Sequence, residues 1–202
     1  MIILASNSPR RQEILSRFTD ISIVSSDIDE NNDYYDNPIQ LVMALSFEKG
    51  IAVALENPSN IVISADTVID FNGEILGKPQ NREDAKNMLQ RLSGKKHKVI
   101  TGYSIFKLEK NIKYTDYVVS YVFFKDLTEE EVEDYLNTEE FWGKSGSYAI
   151  QGYGSLLIDS MQGSFENIVG LPISKIADDL KKLFGISLLK EVLKNEKSGD
   201  EL

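Results

Sequence analysis

No cysteine occurs in the 202 residues of this chain. That one absence excludes a disulfide framework, a zinc–thiolate centre, an iron–sulfur cluster and thiol catalysis. It leaves the redox compartment open, because a cysteine-free chain tolerates either. Histidine is nearly absent too. His97 is the single one, so no histidine-rich metal site can form. Cations are outnumbered, with 22 Lys and Arg against 32 Asp and Glu for a net charge of -10. Such a chain repels nucleic acid as a polymer, and no basic stripe offsets the average field. Small phosphates remain possible ligands wherever cations cluster. Long apolar runs are missing as well. Met1-Ile2-Ile3-Leu4-Ala5-Ser6 is too short and lacks the basic lead of a signal peptide, and no other run approaches a membrane span. The expectation is a cytoplasmic protein whose partner is neither a membrane nor a nucleic-acid polymer.

What is present is an ordinary globular mixture, 42% hydrophobic and 27% charged. That is enough for one sizeable core or two modest lobes around a cleft. Residues 1–193 read as one domain, and the polar stretch 194–202 as a frayed tail. Ile2 to Ala5 reads as a buried strand. Ser6-Asn7-Ser8-Pro9 then turns into a helix capped by Ser8, with Ile14, Leu15 and Phe18 as its apolar stripe. A strand over Ile21 to Val24 and an acidic loop from Ser25 to Asn37 follow. Asn37-Pro38 starts a helix in which Val42, Leu45, Ala52 and Leu55 keep the helical period and which stops at Asn57-Pro58.

Ile61-Val62-Ile63 reads as a strand leading into Ser64-Ala65-Asp66-Thr67, Val68 to Phe71 continues extended, and Asn72-Gly73 is a hairpin turn returning through Glu74 to Leu76. Asn81 with Asp84 caps another helix, ended by Ser93-Gly94. Val99 to Phe124 reads as a long hairpin with its tip near Glu109-Lys110-Asn111, and Thr128 with Glu131 opens a capped helix. Short strands are expected at Tyr148-Ala149-Ile150 and Leu156-Leu157-Ile158, and a last helix over Ile173 to Phe184 ends at Gly185. Intermixed strands and helices with long antiparallel arms indicate an α/β or α+β class, not a purely parallel doubly wound sheet.

Several residues carry chemistry on their own terms. Ser6, Ser8, Arg10 and Arg11 lie at a strand-to-helix junction, where hydroxyls, guanidinium groups and helix-terminal N–H groups can cradle an anion. The same residues also read as a plain helix cap with two solvated arginines. Asp66 follows an apolar strand, where a carboxylate is expensive to bury without a cation or a donor. It reads as a general base, a metal ligand, or a turn-forming Asp. Asp29 and Glu30 offer further oxygen ligands suited to Mg²⁺ or Mn²⁺. Lys49 reads as a surface lysine or a phosphate contact, and Lys78 is held in the rigid Gly77-Lys78-Pro79 turn. Gln151, among glycines, can read a base edge with a donor and an acceptor together. His97 reads as a structural or orienting residue. No phosphate-loop, dinucleotide-binding or Gly-x-Ser-x-Gly motif occurs.

Taken in order along the chain, these segments resemble the Maf family of nucleoside triphosphate pyrophosphatases. The resemblance rests on Leu4-Ala5-Ser6-Asn7-Ser8-Pro9-Arg10-Arg11, Ala65-Asp66-Thr67-Val68, Gly77-Lys78-Pro79, Met88-Leu89 and Leu92-Ser93-Gly94. It continues through His97, Thr101-Gly102, the Gly-Ser-Tyr-Ala-Ile-Gln-Gly run at 146–152, and Asn167-Ile168-Val169-Gly170-Leu171-Pro172. It departs at Ser145, where many relatives carry alanine, and in the segment Phe165 to Ile168.

The resemblance implies an α/β fold with an extended mixed, partly antiparallel sheet flanked by helices, and two lobes around a deep cleft. It implies metal-assisted hydrolysis between the α- and β-phosphates of a nucleoside triphosphate. Asp66 is then the proton acceptor. Arg11, Lys49 and Lys78 engage phosphates beside Ser6 and Ser8, and Glu30 with Asp66 holds the divalent metal, Mg²⁺ or Mn²⁺. Arg10, Thr67 and Gln151 resemble the branch acting on dTTP and UTP, whereas the branch preferring 7-methyl-GTP tends to carry Trp, Gln and Glu. Two other readings stay open here: a pyrophosphatase clearing modified nucleotides, and a nucleotide-binding regulator of septum formation. A homodimer is a possible assembly, since dimers occur in the family.

Overall fold

The strand that organises the molecule is β3 (Ile61–Phe71), whose side chains alternate between two differently covered faces. The computed structural model describes residues 1–26, 28, 35 and 37–199. Before β3 come β1 (Ile2–Leu4), α1 (Pro9–Ser16), β2 (Ile21–Ile23) and α2 (Pro38–Glu56). After it come β4 (Glu74–Leu76), α3 (Arg82–Leu92), β5 (Lys96–Lys107), β6 (Ile112–Phe124) and α4 (Glu129–Asn137). The chain closes with β7 (Ile158–Gln162), α5 (Phe165–Val169), α6 (Ile173–Phe184) and α7 (Leu188–Gly199).

The sheet has seven strands in the order β2-β1-β3-β5-β6-β7, with β4 also paired to β3. The β1 pairings to β2 and β3 are parallel, and all the others are antiparallel. This is the mixed α/β sheet expected from the sequence. Its decisive irregularity lies on one flank of β3. There β1 pairs as far as Ile63, and β4 takes over only at Ile69. Between these points β3 is paired on its other side alone, to β5, where Asp66 faces Gly102. The gap opens the sheet at its centre, and Asp66 sits in it. The expectation that Asp66 follows the end of a strand is therefore corrected: it lies in the middle of one.

Alternation along β3 sorts the two faces. Ile61, Ile63 and Ala65 join Ile14 and Leu15 of α1 with Ile176 and Leu180 of α6 in one cluster. At only 8 residues, α1 is too short to persist alone and depends on this burial. Val62 packs on the opposite face with Val53 and Ala54 of α2, and Val68 with Leu41, Val42 and Leu45. A further cluster joins Ile69 and Val99 to α3 and α4 through Leu89, Leu92, Val132 and Leu136.

Two glycines let α2 lie low on the sheet. A Cβ at Gly50 would stand 2.3 Å from the Phe106 ring, and one at Gly102 only 2.4 Å from the Val42 carbonyl. Any side chain there would lift the helix. The buried face of α2 is thus Leu41, Val42, Leu45, Ser46, Lys49, Gly50, Val53 and Ala54. Leu55, read with that helical period, is exposed, because at 3.6 residues per turn it stands about 80° round the helix from Leu45. With 19 residues, α2 is also long and apolar enough to cross a membrane, contrary to the reading that no run approaches that length. In this fold it covers β3 and β5.

Local capping follows the sequence closely. Asn37 accepts from the N–H groups of Ile39 and Gln40, Asn81 from that of Asp84, and Thr128 with Glu131 completes a reciprocal box. Ser8 holds the cap position of α1 but makes no side-chain cap bond. The long hairpin forms as β5 and β6 around a tight turn at Leu108–Lys110. Tyr148-Ala149-Ile150 is not a strand, because Gly146 and Ser147 both take positive φ and coil the chain. The next strand starts at Ile158, after a 3-10 turn over Tyr153–Leu157. Helix α7 runs on past Lys194, where a frayed tail is expected.

Candidate active site

The gap beside β3 opens into a cavity of about 1100 Å³. Three chain segments frame it: the loop from β1 into α1, the turn after β4, and the loop from Gly143 to Gln151. Ser6, Ser8, Arg10, Arg11, Lys49, Asp66, Thr67, Lys78 and Gln151 all line it. Residues far apart in sequence are thereby brought together. Glu30 and Asp29 lie outside the described residues.

Asp66 and Lys49 form the inner pair. Even-numbered residues of β3 face α2, and Lys49 is on the buried face of that helix. The Lys49 Nζ donates to Asp66 Oδ1 at 2.6 Å, with side chains only 11% and 12% exposed. A charge-assisted bond this shielded fixes the carboxylate's direction. Its other oxygen accepts no hydrogen bond from the described residues, so it can take a water or a cation.

Odd-numbered residues face the other way, toward α1 and α5. There the Arg11 Nε donates to the Gly170 carbonyl at 2.8 Å, Nη1 to Ser6 Oγ at 3.3 Å and Nη2 to Thr67 Oγ1 at 3.1 Å. Ser6 Oγ also accepts from the Ser8 N–H at 3.2 Å. With both lone pairs engaged, the Ser6 hydroxyl keeps its hydrogen for an acceptor in the cavity. The Ser8 N–H is spent on Ser6, and Ser8 itself lines the cavity.

The cavity wall carries five cations, Arg10, Arg11, Lys49, Lys78 and Lys144, and one carboxylate, Asp66, among the described residues. Inside a chain of net charge -10, this is a local reversal of sign that suits a polyanion. Lys144 is the cation that reading the sequence for candidate residues did not select. Burial, and then the nearby positive charge of Arg10, hold its ammonium below the usual lysine range. Burial likewise lowers Arg10. Two cations kept this close lower their mutual repulsion by taking an anion between them. The signal for Lys144 was its place between Gly143 and Gly146, whose positive φ coils the chain against the cavity.

Tyr148 lines the cavity, and its hydroxyl pairs with His97 Nε2 at 2.7 Å behind the wall. His97 is 2% exposed, and burial pushes it down to about 4, so it is neutral near pH 7. It supports the wall rather than facing the cavity, in line with an orienting role. Gln151 is exposed at the cavity's rim, and Lys78 is exposed in its turn.

A family model described as Maf-like protein matches residues 1–183 of the chain. A protein of Clostridioides difficile (strain 630) named dTTP/UTP pyrophosphatase is 50% identical over 189 residues, 93% of this chain and 97% of its own. A Bacillus cereus (strain G9842) protein of the same name is 44% identical, over 90% of this chain and 94% of its own. Another of that name, from Pyrococcus furiosus, is 40% identical, over 91% and 98%.

Proposed function

This chain belongs to the Maf family, and on that premise we propose that it hydrolyses dTTP and UTP to the nucleoside monophosphate and diphosphate. The observation that carries the reading is the buried Lys49–Asp66 pair facing a cavity lined with cations. A triphosphate brings several negative charges, and the wall supplies the matching positive ones.

In this reaction water attacks the α-phosphorus and the bond to the bridging oxygen of the β-phosphate breaks. Asp66 orients that water and accepts its proton, while Lys49 holds the carboxylate in position. Arg11 and Lys78, with the Ser6 and Ser8 hydroxyls, bind the phosphates and stabilise charge gathering on the diphosphate leaving group. Arg10, Thr67 and Gln151 set the preference for a pyrimidine, Gln151 by presenting a donor and an acceptor to the O4/N3 edge.

A divalent cation, Mg²⁺ or Mn²⁺, belongs to the proposal. Among the described residues no three carboxylates or histidines converge, and Asp66 is the one carboxylate on the cavity. This donor set fits a cation that arrives on triphosphate oxygens and takes one or two carboxylates from the protein. Asp66 would hold it with Glu30, and its charge would neutralise the phosphates when bound.

The test incubates the chain with dTTP, UTP, CTP, 5-methyl-UTP, pseudo-UTP and 7-methyl-GTP and measures diphosphate and orthophosphate separately. Diphosphate from dTTP and UTP is the expected product. Orthophosphate as the primary product would overturn cleavage between the α- and β-phosphates.

A further inference from the structure

Behind the cavity wall runs a chain of hydrogen bonds whose direction is forced at both ends. The Arg11 Nη2 lies 3.1 Å from Thr67 Oγ1, which lies 3.0 Å from Thr101 Oγ1, which lies 2.9 Å from the Asn167 carbonyl oxygen. A guanidinium can only donate and a carbonyl can only accept. Thr101 must therefore give its hydrogen to Asn167, and Thr67 must give its own to Thr101. The Thr67 oxygen is then left to accept from Arg11. Register makes this possible, since Thr67 and Thr101 are direct partners across β3 and β5. The far end is equally fixed. Asn167 lies in α5, its carbonyl also accepts from the Gly170 N–H at 3.1 Å, and the Gly170 carbonyl in turn receives Arg11 Nε at 2.8 Å.

We propose that Thr101 is a positioning residue for Arg11, acting through the hydroxyl of Thr67. Thr101 is fully buried, at 0% exposure, so any effect it has on the reaction passes through another residue. Thr67 has given away its one hydrogen and so cannot donate to a substrate carbonyl. Besides its part in the base preference, its oxygen holds the guanidinium that Ser6 and Gly170 hold from other sides. A guanidinium anchored at three nitrogens presents one orientation to a phosphate, which limits the rotamer entropy lost on binding. The inference rests on the reading of Arg11 as a phosphate contact.

The test uses the full chain with dTTP and measures kcat, KM and the thermal midpoint. It compares wild type with Thr101→Val, Thr101→Ser, Thr101→Ala, Thr67→Val and the double variant Thr67→Val/Thr101→Val. Loss of the Thr101 hydroxyl should raise KM roughly ten-fold, the worth of one buried bond in a charged network. Thr101→Ser should stay within roughly two-fold of wild type. The double variant should be no worse than Thr67→Val, because both changes cut one chain. Unchanged KM in a folded Thr101→Val variant, with only a lower midpoint, would overturn the proposal. Penalties that multiply in the double variant would do the same. If valine prevents folding, Ser and Ala at position 101 differ only by the hydroxyl, and equal KM for the two overturns it as well. A wild-type chain that releases no diphosphate from dTTP overturns the assigned reaction itself, an outcome distinct from an active enzyme indifferent to Thr101.

Discussion

Lys49 and Asp66 meet at 2.6 Å although one lies on a helix and the other in the middle of a strand 17 residues later. The contact exists because the sheet is open on that flank of β3 and because α2 lies unusually low upon it. Its chemistry has two sides. Each charge offsets the cost of burying the other, and the pair as a whole still faces a space large enough for a nucleotide. A structural ion pair would need only the first property.

The two members of this pair should respond differently to substitution. Asp66→Asn keeps an acceptor for Lys49 and should fold normally, but it removes the proton acceptor. Turnover of dTTP should fall roughly a hundred- to ten-thousand-fold, measured as diphosphate release with circular dichroism as the folding control. Lys49→Met strands a shielded carboxylate and should also lower stability, by about 1–3 kcal/mol in a denaturant titration. Wild-type turnover in a folded Asp66→Asn variant would remove Asp66 from the mechanism.

Helix height offers a second prediction. A methyl group at Gly102 would collide with backbone of Val42 rather than with a movable side chain. Gly102→Ala should therefore push α2 away from the sheet and cost about 1–3 kcal/mol, the usual range for overpacking. Because Lys49 rides on the same helix, kcat should fall in the fraction that remains folded. Wild-type kcat at full occupancy of the folded state would show that the Lys49–Asp66 contact tolerates the shift.

What the sequence makes legible depends on how far apart the interacting residues are. The Thr128–Glu131 box and the Asn81 cap close within one helical turn, and both form as read. Runs rich in Ile, Val, Tyr and Phe likewise mark β3, β5 and β6. The buried face of α2 was hidden because Ser46, Lys49 and Gly50 lie on it: a helix that walls a cavity and hugs a sheet need not show an apolar stripe there. Tyr148-Ala149-Ile150 has strand composition, yet the positive φ of Gly146 and Ser147, and the bond from the Gly146 N–H to the Gly77 carbonyl at 3.0 Å, fold it into the cavity wall. Motif order brought Ser6, Arg11, Asp66 and Lys78 into view. The Thr67–Thr101–Asn167 chain was not visible, since it needs strand register and the docking of α5 together.

Arg10 and Lys144 should behave as a coupled pair. Burial first, and Arg10 second, lower the Lys144 ammonium. Arg10→Gln removes the second cause and should raise the Lys144 pKa, read from the pH titration of its ¹³Cε resonance. Adding diphosphate to the wild-type chain should move the same resonance in the same direction, because an anion between two cations favours the charged form. A titration unmoved by either change would place Lys144 outside the anion site.

His97 gives the pH dependence of stability a definite sign. Burial lowers it to about 4 from the 6.5 expected in an unfolded chain. Between those values the unfolded state binds a proton that the folded state refuses, so stability falls as pH drops. The contribution is fully present above pH 6.5 and diminishes steadily toward the folded value. By pH 5 the loss should reach about 2 kcal/mol, before most carboxylates begin to titrate. Replacing His97 with Gln keeps a polar partner for Tyr148 and removes the titrating ring. The thermal midpoint of His97→Gln should therefore change much less than that of wild type between roughly pH 7, above the titration window, and roughly pH 5, inside it. Equal slopes for the two proteins would mean that another group, and not this buried imidazole, governs the acid side of the stability curve.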